Sequence, residues 1–148
     1  MSLCLSAIAD ELTTAITAYE QGNYEVALKQ FTQLAQQNNA EAQYNLAFMY
    51  FGGEGVPQND SKAAHWFEQA AKLAHAGAQD TLAYLFLHGR GVDANKIQAY
   101  AWYRVAAENG IFLAKNISEN LKKEMNTEER IHADLLSSEY IKNYKKNN

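Results

Sequence analysis

Hydrophobic positions recur at helical spacing along most of the chain. Beginning at Ala42, apolar residues fall at Leu46, Met49 and Tyr50, and a glycine-rich stretch then interrupts the pattern. A second apolar stripe follows at Ala63, Trp66, Phe67, Ala70 and Ala71. Positions separated by three or four residues share one face of a helix. The pattern therefore predicts two helices joined by the stretch GGEGVPQND.

This helical hairpin occurs twice in tandem. Over the 34 positions from Ala42 to His75, 12 residues are identical to those 36 positions further on. The identities include a tryptophan, two glycines and a double alanine, and the alignment needs no gap. Self-similarity at a fixed period of this length is the signature of a repeat protein. Small alanines at fixed points let helices approach closely, and the large aromatic residues fill the space beside them.

The repeat also explains the glycines. A phosphate-binding loop would follow a strand and continue into Gly-Lys-Ser or Gly-Lys-Thr, and neither feature surrounds Gly52. Glycine tolerates the positive φ that a chain adopts after a helix C-terminus, so we interpret these glycines as turns. Asn59 is predicted to cap the helix that follows the turn.

Less regular units flank the two copies. A hairpin with a shorter turn precedes them, with Tyr19, Gly22 and Tyr24 around that turn. Ala114 lies one period after Ala78, which predicts another first helix. The final helix is predicted to begin at Asn126 or Thr127 with acidic residues in its first turn. Its apolar stripe comprises Ile131, Leu135, Leu136, Tyr140 and Ile141.

Composition and charge exclude several classes of function. The 148 residues carry a net charge of −4 with a pI of about 5.5. They form no basic stripe, so nucleic-acid binding is not expected. No run of about 18 apolar residues occurs, so membrane insertion is not expected either. Cys4 is the only cysteine, which excludes an internal disulfide.

The N-terminus carries a faint targeting signal. Residues 1–9 are apolar from Leu3, and Ala7-Ile8-Ala9 has the small-x-small pattern of a signal-peptidase site. A basic start and a longer apolar run are missing. These residues are either a signal-peptide remnant or the start of the first helix. We expect a periplasmic or secreted protein, with the cytoplasm as the alternative.

Candidate catalytic chemistry is sparse. His65 and His75 are ten residues apart and form no metal-binding pair, and His88 occupies a turn position. A nucleophilic Cys4 would need a histidine base nearby in space, and this cysteine lies in an apolar terminal stretch, so we expect no reactivity from it. The acidic pairs Asp10-Glu11 and Glu128-Glu129 lie near expected helix starts, where acids favour the positive end of the dipole. We therefore predict no catalytic residue, no metal site and no cofactor.

The residues shared by the two copies resemble Sel1-like repeats. That pattern runs roughly Ala-x-x-x-Leu-Gly-x-x-Tyr, then Gly-x-Gly-Val, Asp, Lys-Ala, Trp and Lys-Ala-Ala. It is met here by AQYNLAFMYFGGEGVPQNDSKAAHWFEQAA and again by AQDTLAYLFLHGRGVDANKIQAYAWYRVAAENG. Departures are mild: alanine stands at positions 47 and 83, where the family often has glycine, and asparagine at 59 and 95, where it often has aspartate.

The resemblance implies an all-α fold, a right-handed α–α superhelix or solenoid of Sel1-like and tetratricopeptide-like hairpins with a C-terminal capping helix. We expect one structural domain. It comprises a tetratricopeptide-like hairpin over residues 10–40, Sel1-like repeats over 41–76 and 77–112, and a partial repeat with the capping helix over 113–148. The last helix is expected to cover the end of the stack.

The resemblance also implies a non-catalytic adaptor that binds a peptide or a partner protein on the concave face, which the first helices line. The family's geometry places on that face Tyr44, Asn45, Phe48, Asp80, Thr81, Tyr84, Asn116 and Asn120. Thr13 and Thr17 are the counterparts in the first unit, and Lys123 lies one turn after Asn120. Aromatic anchors among short polar groups suit a protein interface. Phe48 and Tyr84 could instead pack between repeats.

Two other functions stay open at this point. One is an envelope-associated enzyme or a β-lactam-binding protein, because a cysteine-rich branch of the family has been linked to β-lactams. That branch carries cysteine pairs in each hairpin, which this chain lacks. The other is a structural spacer, against which Phe48 and Tyr84 argue. The partner and the oligomeric state are not predicted.

Overall fold

The computed structural model describes residues 2–146, with side chains from Ala9 onward, and this part of the chain forms eight helices and no strand. In chain order they are α1 (Ser2–Glu20), α2 (Tyr24–Gln36), α3 (Ala40–Gly52), α4 (Asp60–Lys72), α5 (Ala76–His88), α6 (Lys96–Glu108), α7 (Phe112–Lys123) and α8 (Thr127–Tyr144). The predicted all-α solenoid of helical hairpins is confirmed. Residues 2–9 belong to α1, whereas the side chain of Cys4 lies outside the described residues.

The helices pack in the order in which they follow one another. Helices α1 and α2, α3 and α4, and α5 and α6 form three hairpins, and each second helix also packs against the first helix of the next hairpin. Helix α7 continues this order by packing on α6. Helix α8 differs, because its main contact is with α6. Two apolar side chains at the start of α7, Phe112 and Leu113, stay exposed.

The 36-residue period reaches further towards the N-terminus than the sequence comparison indicated. The second helices α2, α4 and α6 bury equivalent residues, none of them more than 3% exposed. They are Ala27, Ala63 and Ala99 in one row and Phe31, Phe67 and Tyr103 in the next. The turn after α1 is shorter than the turns after α3 and α5. Helix α1 is therefore out of register with α3 and α5, and the sequence comparison missed the equivalence of α2 with α4 and α6.

Two buried glutamines join successive hairpins. The Nε2 of Gln43 donates a hydrogen bond of 3.0 Å to the carbonyl oxygen of Ala35, at the end of α2. Gln79, 36 residues later, donates in the same way to the carbonyl of Ala71 at the end of α4. Both carbonyls also accept a backbone N–H of the following turn. The amides therefore add a buried hydrogen bond between the end of one hairpin and the first helix of the next.

The predicted caps are confirmed. The Oδ1 of Asn59 accepts a hydrogen bond of 2.9 Å from the backbone N–H of Lys62 at the start of α4. At the start of α8, Asn126 and Glu129 bond reciprocally to each other's backbone N–H groups. This capping box satisfies two donors that the helix itself leaves free.

The glycines have two separate structural roles. Gly53 and Gly89 adopt φ of 73° and 66° and end α3 and α5, as the interpretation as turns predicts. Gly55 and Gly91 also have positive φ, but they lie directly against the preceding hairpin. A Cβ on Gly55 would come within 2.7 Å of the Cβ of Tyr24. Each turn therefore also sets the spacing between neighbouring hairpins.

The two tryptophans differ in burial although they occupy the same repeat position. Trp102 is 2% exposed, because Tyr140 and Tyr144 of α8 lie against its ring at centroid distances of 4.7 and 5.3 Å. Trp66 packs against both core clusters and is half-buried. Helix α8 therefore completes the core around only one of the two repeats.

Candidate functional site

The candidate surface is formed by the polar and aromatic residues that the sequence assigns to the first helices α3, α5 and α7. We call it the first-helix surface. Its members are Tyr44, Asn45 and Phe48 on α3, Asp80, Thr81 and Tyr84 on α5, and Asn116 and Asn120 on α7. Tyr84, Asn116 and Asn120 are exposed, and the other five are half-buried.

Tyr44 connects α3 to α5. Its ring stacks on the imidazole of His75 with the centroids 4.3 Å apart and 27° between the planes. Its phenol lies against Gly77, where an added Cβ would approach the hydroxyl to 3.1 Å. Burial raises the pKa of the Tyr44 hydroxyl, and the carboxylates of Glu41 and Asp80 raise it further. The absence of a side chain at Gly77 thus lets Tyr44 lie close to α5.

Phe48 is held within its own hairpin. Its ring meets Phe67 edge-to-face at 5.0 Å and Tyr44 at 4.8 Å. Phe67 is fully buried in α4. Edge-to-face pairs at these distances stabilise a core by about 0.5–1.5 kcal/mol beyond burial. Phe48 therefore contributes to the packing of α3 on α4, with part of its ring at the surface.

His75 and Glu41 are neighbours of this surface that the sequence analysis did not assign to it. The Nδ1 of His75 accepts a hydrogen bond of 3.1 Å from the backbone N–H of Ala78 and caps α5. A neutral imidazole with an accepting Nδ1 carries its proton on Nε2. That Nε2 donates to the Oε2 of Glu41 at 3.0 Å. The available signal was the period, because His75 occupies the position of the cap Asn39.

We expect His75→Ala to lower the free energy of unfolding by about 1–2 kcal/mol, because it removes both a helix cap and a ring stack. His75→Asn is the matched control, since asparagine caps the equivalent helix at Asn39. The control should recover about 1 kcal/mol of the loss. Urea titrations of both variants measure the difference, and equal losses would contradict the capping role.

Asp80 is the acidic member of the surface. Burial raises the pKa of its carboxyl above the usual range. The hydroxyl of Tyr103 lies nearby, and burial together with Asp80 raises the pKa of Tyr103 to about 12. Among side chains from Ala9 to Lys146, no lysine, arginine or histidine forms an ion pair with Asp80. A partly buried carboxylate without a counter-ion is an unfavourable arrangement.

Other polar residues assigned to the first helices already form hydrogen bonds within their own helix. Asn45 donates to the backbone carbonyl of Glu41, and Thr81 donates to that of Gly77. On α7, the Oδ1 of Asn120 accepts from Lys123 at 3.1 Å. In α1, the hydroxyls of Thr13 and Thr17 donate to carbonyls one turn earlier.

Tyr84 is the exposed aromatic of the surface. It is 41% exposed, and its ring lies 4.3 Å from that of His88. The structure thus brings Tyr44, Asp80 and Thr81 together and places Tyr84 one turn further along α5. Asn116 and Asn120 follow on α7 and share no described hydrogen bond with the α5 members.

The larger clefts lie elsewhere. The most enclosed of them, with a volume of about 450 Å³, lies between α6 and α7 and is lined by Arg104, Phe112 and Lys115 among others. It contains no member of the first-helix surface. Within the described side chains, no three His, Cys, Asp or Glu residues are grouped so that they could hold a metal ion. Between residues 2 and 146, no helix combines the length and apolarity that crossing a membrane requires.

Comparison with known proteins identifies the repeat. The family model described as Sel1 repeat matches residues 40–75 and 76–111. Among solved structures, the chain is similar to c5321, a protective antigen of uropathogenic Escherichia coli strains displaying an SLR fold. The TM-score is 0.84 at 26% identity, over 93% of this chain and 30% of that one. It is also similar to a Sel1 repeat protein from Oxalobacter formigenes, with a TM-score of 0.72 at 29% identity, over 87% of this chain and 55% of the other.

The chain therefore spans about a third and about half of these two structures. A search of curated proteins finds no match. The two hairpins formed by α3 to α6, their glycine turns and both tryptophans lie within the matched residues. On this evidence, residues 40–75 and 76–111 are two Sel1 repeats.

Proposed function

We propose that this chain is a non-catalytic adaptor that binds an extended peptide segment of a partner protein on the first-helix surface, as the concave face of the stack. Sel1 repeats commonly mediate protein–protein interaction, which supports the general role. The observation that carries the proposal is Asp80, a partly buried carboxylate that has no ion-pair partner among the described side chains and lies one helical turn from an exposed aromatic ring. A basic side chain of the partner would pair with it.

The energetics favour such a partner. The protein pays a desolvation cost for Asp80 in the free state, because burial disfavours the charged carboxylate. An ammonium or guanidinium group of the partner, placed beside the carboxylate, would offset part of this desolvation penalty on binding. The exposed ring of Tyr84 supplies contact area, and the amides of Asn116 and Asn120 can bond to a peptide backbone.

Affinity capture from the source organism, followed by mass spectrometry, identifies partners, and variants then test the surface. Asp80→Asn and Tyr84→Ala are expected to weaken binding of the captured partner about tenfold each or more. Val26→Ala is the matched control, because Val26 is 40% exposed on the second helix α2, outside this surface. If both surface variants bind as well as the control does, this surface is not the binding site.

Asp80→Asn should at the same time stabilise the free protein at neutral pH. Because the folded-state pKa is raised, the penalty of the charged carboxylate is present above that pKa and disappears as pH falls through it. We expect a gain of less than about 1 kcal/mol at pH 7, since the carboxylate is only partly desolvated. The gain should vanish at pH 3. Thermal melts at both pH values measure it, and a loss of stability at pH 7 would contradict the assignment.

No described residue favours the alternative of an envelope-associated enzyme or a β-lactam-binding protein. A periplasmic or secreted location stays a prediction from the N-terminal sequence.

A further inference from the structure

Helix α8 carries an exposed stripe that the repeat does not use. The stripe runs through Glu128, Ile131, Leu135, Ser138 and Lys142, which alternate in steps of three and four residues. Ile131 is 56% exposed and Leu135 is 66% exposed. This spacing keeps the five side chains on one face of the helix and is the spacing by which two helices pair along a seam.

An apolar cleft adjoins the middle of the stripe. It lies between α8 and the start of α6 and has a volume of about 520 Å³. Leu135, Leu136 and Ile97 form its apolar wall, and His132 and Glu139 are among its polar residues. A leucine or isoleucine from another helix can enter this cleft while its backbone stays outside.

The charges at the two ends of the stripe are opposite. Glu128 stands at the N-terminal end and Lys142 at the C-terminal end. Neither forms an ion pair with any side chain from Ala9 to Lys146. Leu135 lies seven residues from each of them. An identical helix laid antiparallel with its Leu135 opposite this one therefore places each Glu128 opposite the other copy's Lys142.

We infer that two copies of this chain associate through α8, as an antiparallel, two-fold symmetric helix pair centred on Leu135. In this register Leu135 meets its own copy and both end charges find an opposite partner, as an isologous contact requires, whereas each Ile131 lies opposite the polar pair Ser138 and Glu139. One helix face is smaller than a standard interface, so the association is reversible and concentration-dependent. The contact involves α8, whereas the first-helix surface lies on α3, α5 and α7. The inference is therefore independent of the proposed function.

Sedimentation equilibrium of the full chain over a wide concentration range tests the contact. The chain is expected to show a monomer–dimer equilibrium. Leu135→Glu should weaken the dimer about tenfold or more, because it buries like charges at the two-fold axis. Leu113→Glu is the matched control, since Leu113 is 72% exposed on α7 and should leave the equilibrium unchanged. A chain that stays monomeric throughout, or a dimer that Leu135→Glu leaves intact, overturns the inference.

Charge reversal tests the antiparallel register. Glu128→Lys and Lys142→Glu should each weaken the dimer, because each creates two like-charge pairs. A mixture of these two variants should form a heterodimer, since both pairs are then opposite in charge. The double variant should dimerise as the original chain does. A mixture that fails to associate, with both variants natively helical by circular dichroism, overturns the antiparallel pairing. If the chain binds another protein through α8 without associating with itself, the second copy is excluded as the partner.

Discussion

Trp102→Ala is expected to lower the free energy of unfolding by about 3–5 kcal/mol, which is the cost of truncating a large, fully packed aromatic side chain. The indole is 2% exposed and stacks on Tyr144, with their planes 20° apart. Tyr140, whose hydroxyl donates a hydrogen bond to Gln98 of α6, covers it as well. Removing the indole therefore opens a cavity and also loosens the attachment of α8.

Trp66→Ala is the matched control, because Trp66 occupies the same position one repeat earlier. It is half-buried and lacks the two tyrosines, so we expect a loss of about 1.5–3 kcal/mol. Chemical denaturation measures both losses, and hydrogen exchange should show faster exchange of α8 amides only in Trp102→Ala. Equal losses in the two variants would mean that α8 adds nothing to the burial of Trp102.

Gly91→Ala has the second-largest expected effect, about 2–5 kcal/mol of destabilisation. Two costs combine in this variant. The φ of Gly91 is +71°, which residues with a side chain rarely adopt. A Cβ at this position would also overlap the backbone carbonyl of Asp60, the first residue of α4. Backbone atoms cannot rotate away, so either the turn or the start of α4 must shift.

Gly22→Ala separates the two costs. Gly22 has a similar φ of +74°, but nothing lies within 4 Å of a Cβ placed there. This variant should lose only about 1–2 kcal/mol from the strained φ. Thermal or urea unfolding compares the two, and a Gly22→Ala loss as large as that of Gly91→Ala would show that close approach between hairpins is unimportant.

Much of the fold could be predicted from the sequence because its signals are local. Asn59 precedes the polar start of α4, and Gly53 follows the apolar end of α3, so each boundary is marked within a few residues. The period of 36 residues then places equivalent residues in equivalent environments, as Ala63 and Ala99 show. The N-terminal hairpin was harder to recognise as a copy of the repeat, because its shorter turn breaks the 36-residue register before α2.

The candidate surface was harder to predict, because exposure depends on what lies across from a side chain. Phe48 and Tyr84 are equivalent in the repeat, yet Phe48 packs on Phe67 while Tyr84 is 41% exposed. His75 read as an isolated histidine, and only its contacts with Tyr44 and Glu41 place it beside the surface. The acidity of Asp80 was visible in the sequence, whereas its burial was not.

By itself, the sequence determined the helices, their ends and their stacking order, because spacing, caps and positive-φ glycines act over short distances along the chain. Only the tertiary structure decided where α8 lies. Of the apolar stripe predicted for α8, Leu136, Tyr140 and Ile141 are partly buried, whereas Ile131 and Leu135 are exposed. The contacts that select α6 join residues far apart in sequence. Tyr140 with Gln98 and Tyr144 with Asn109 are two such contacts. Packing around Trp102 and hydrogen bonding of buried polar groups place α8 on α6, and both depend on neighbours in three dimensions.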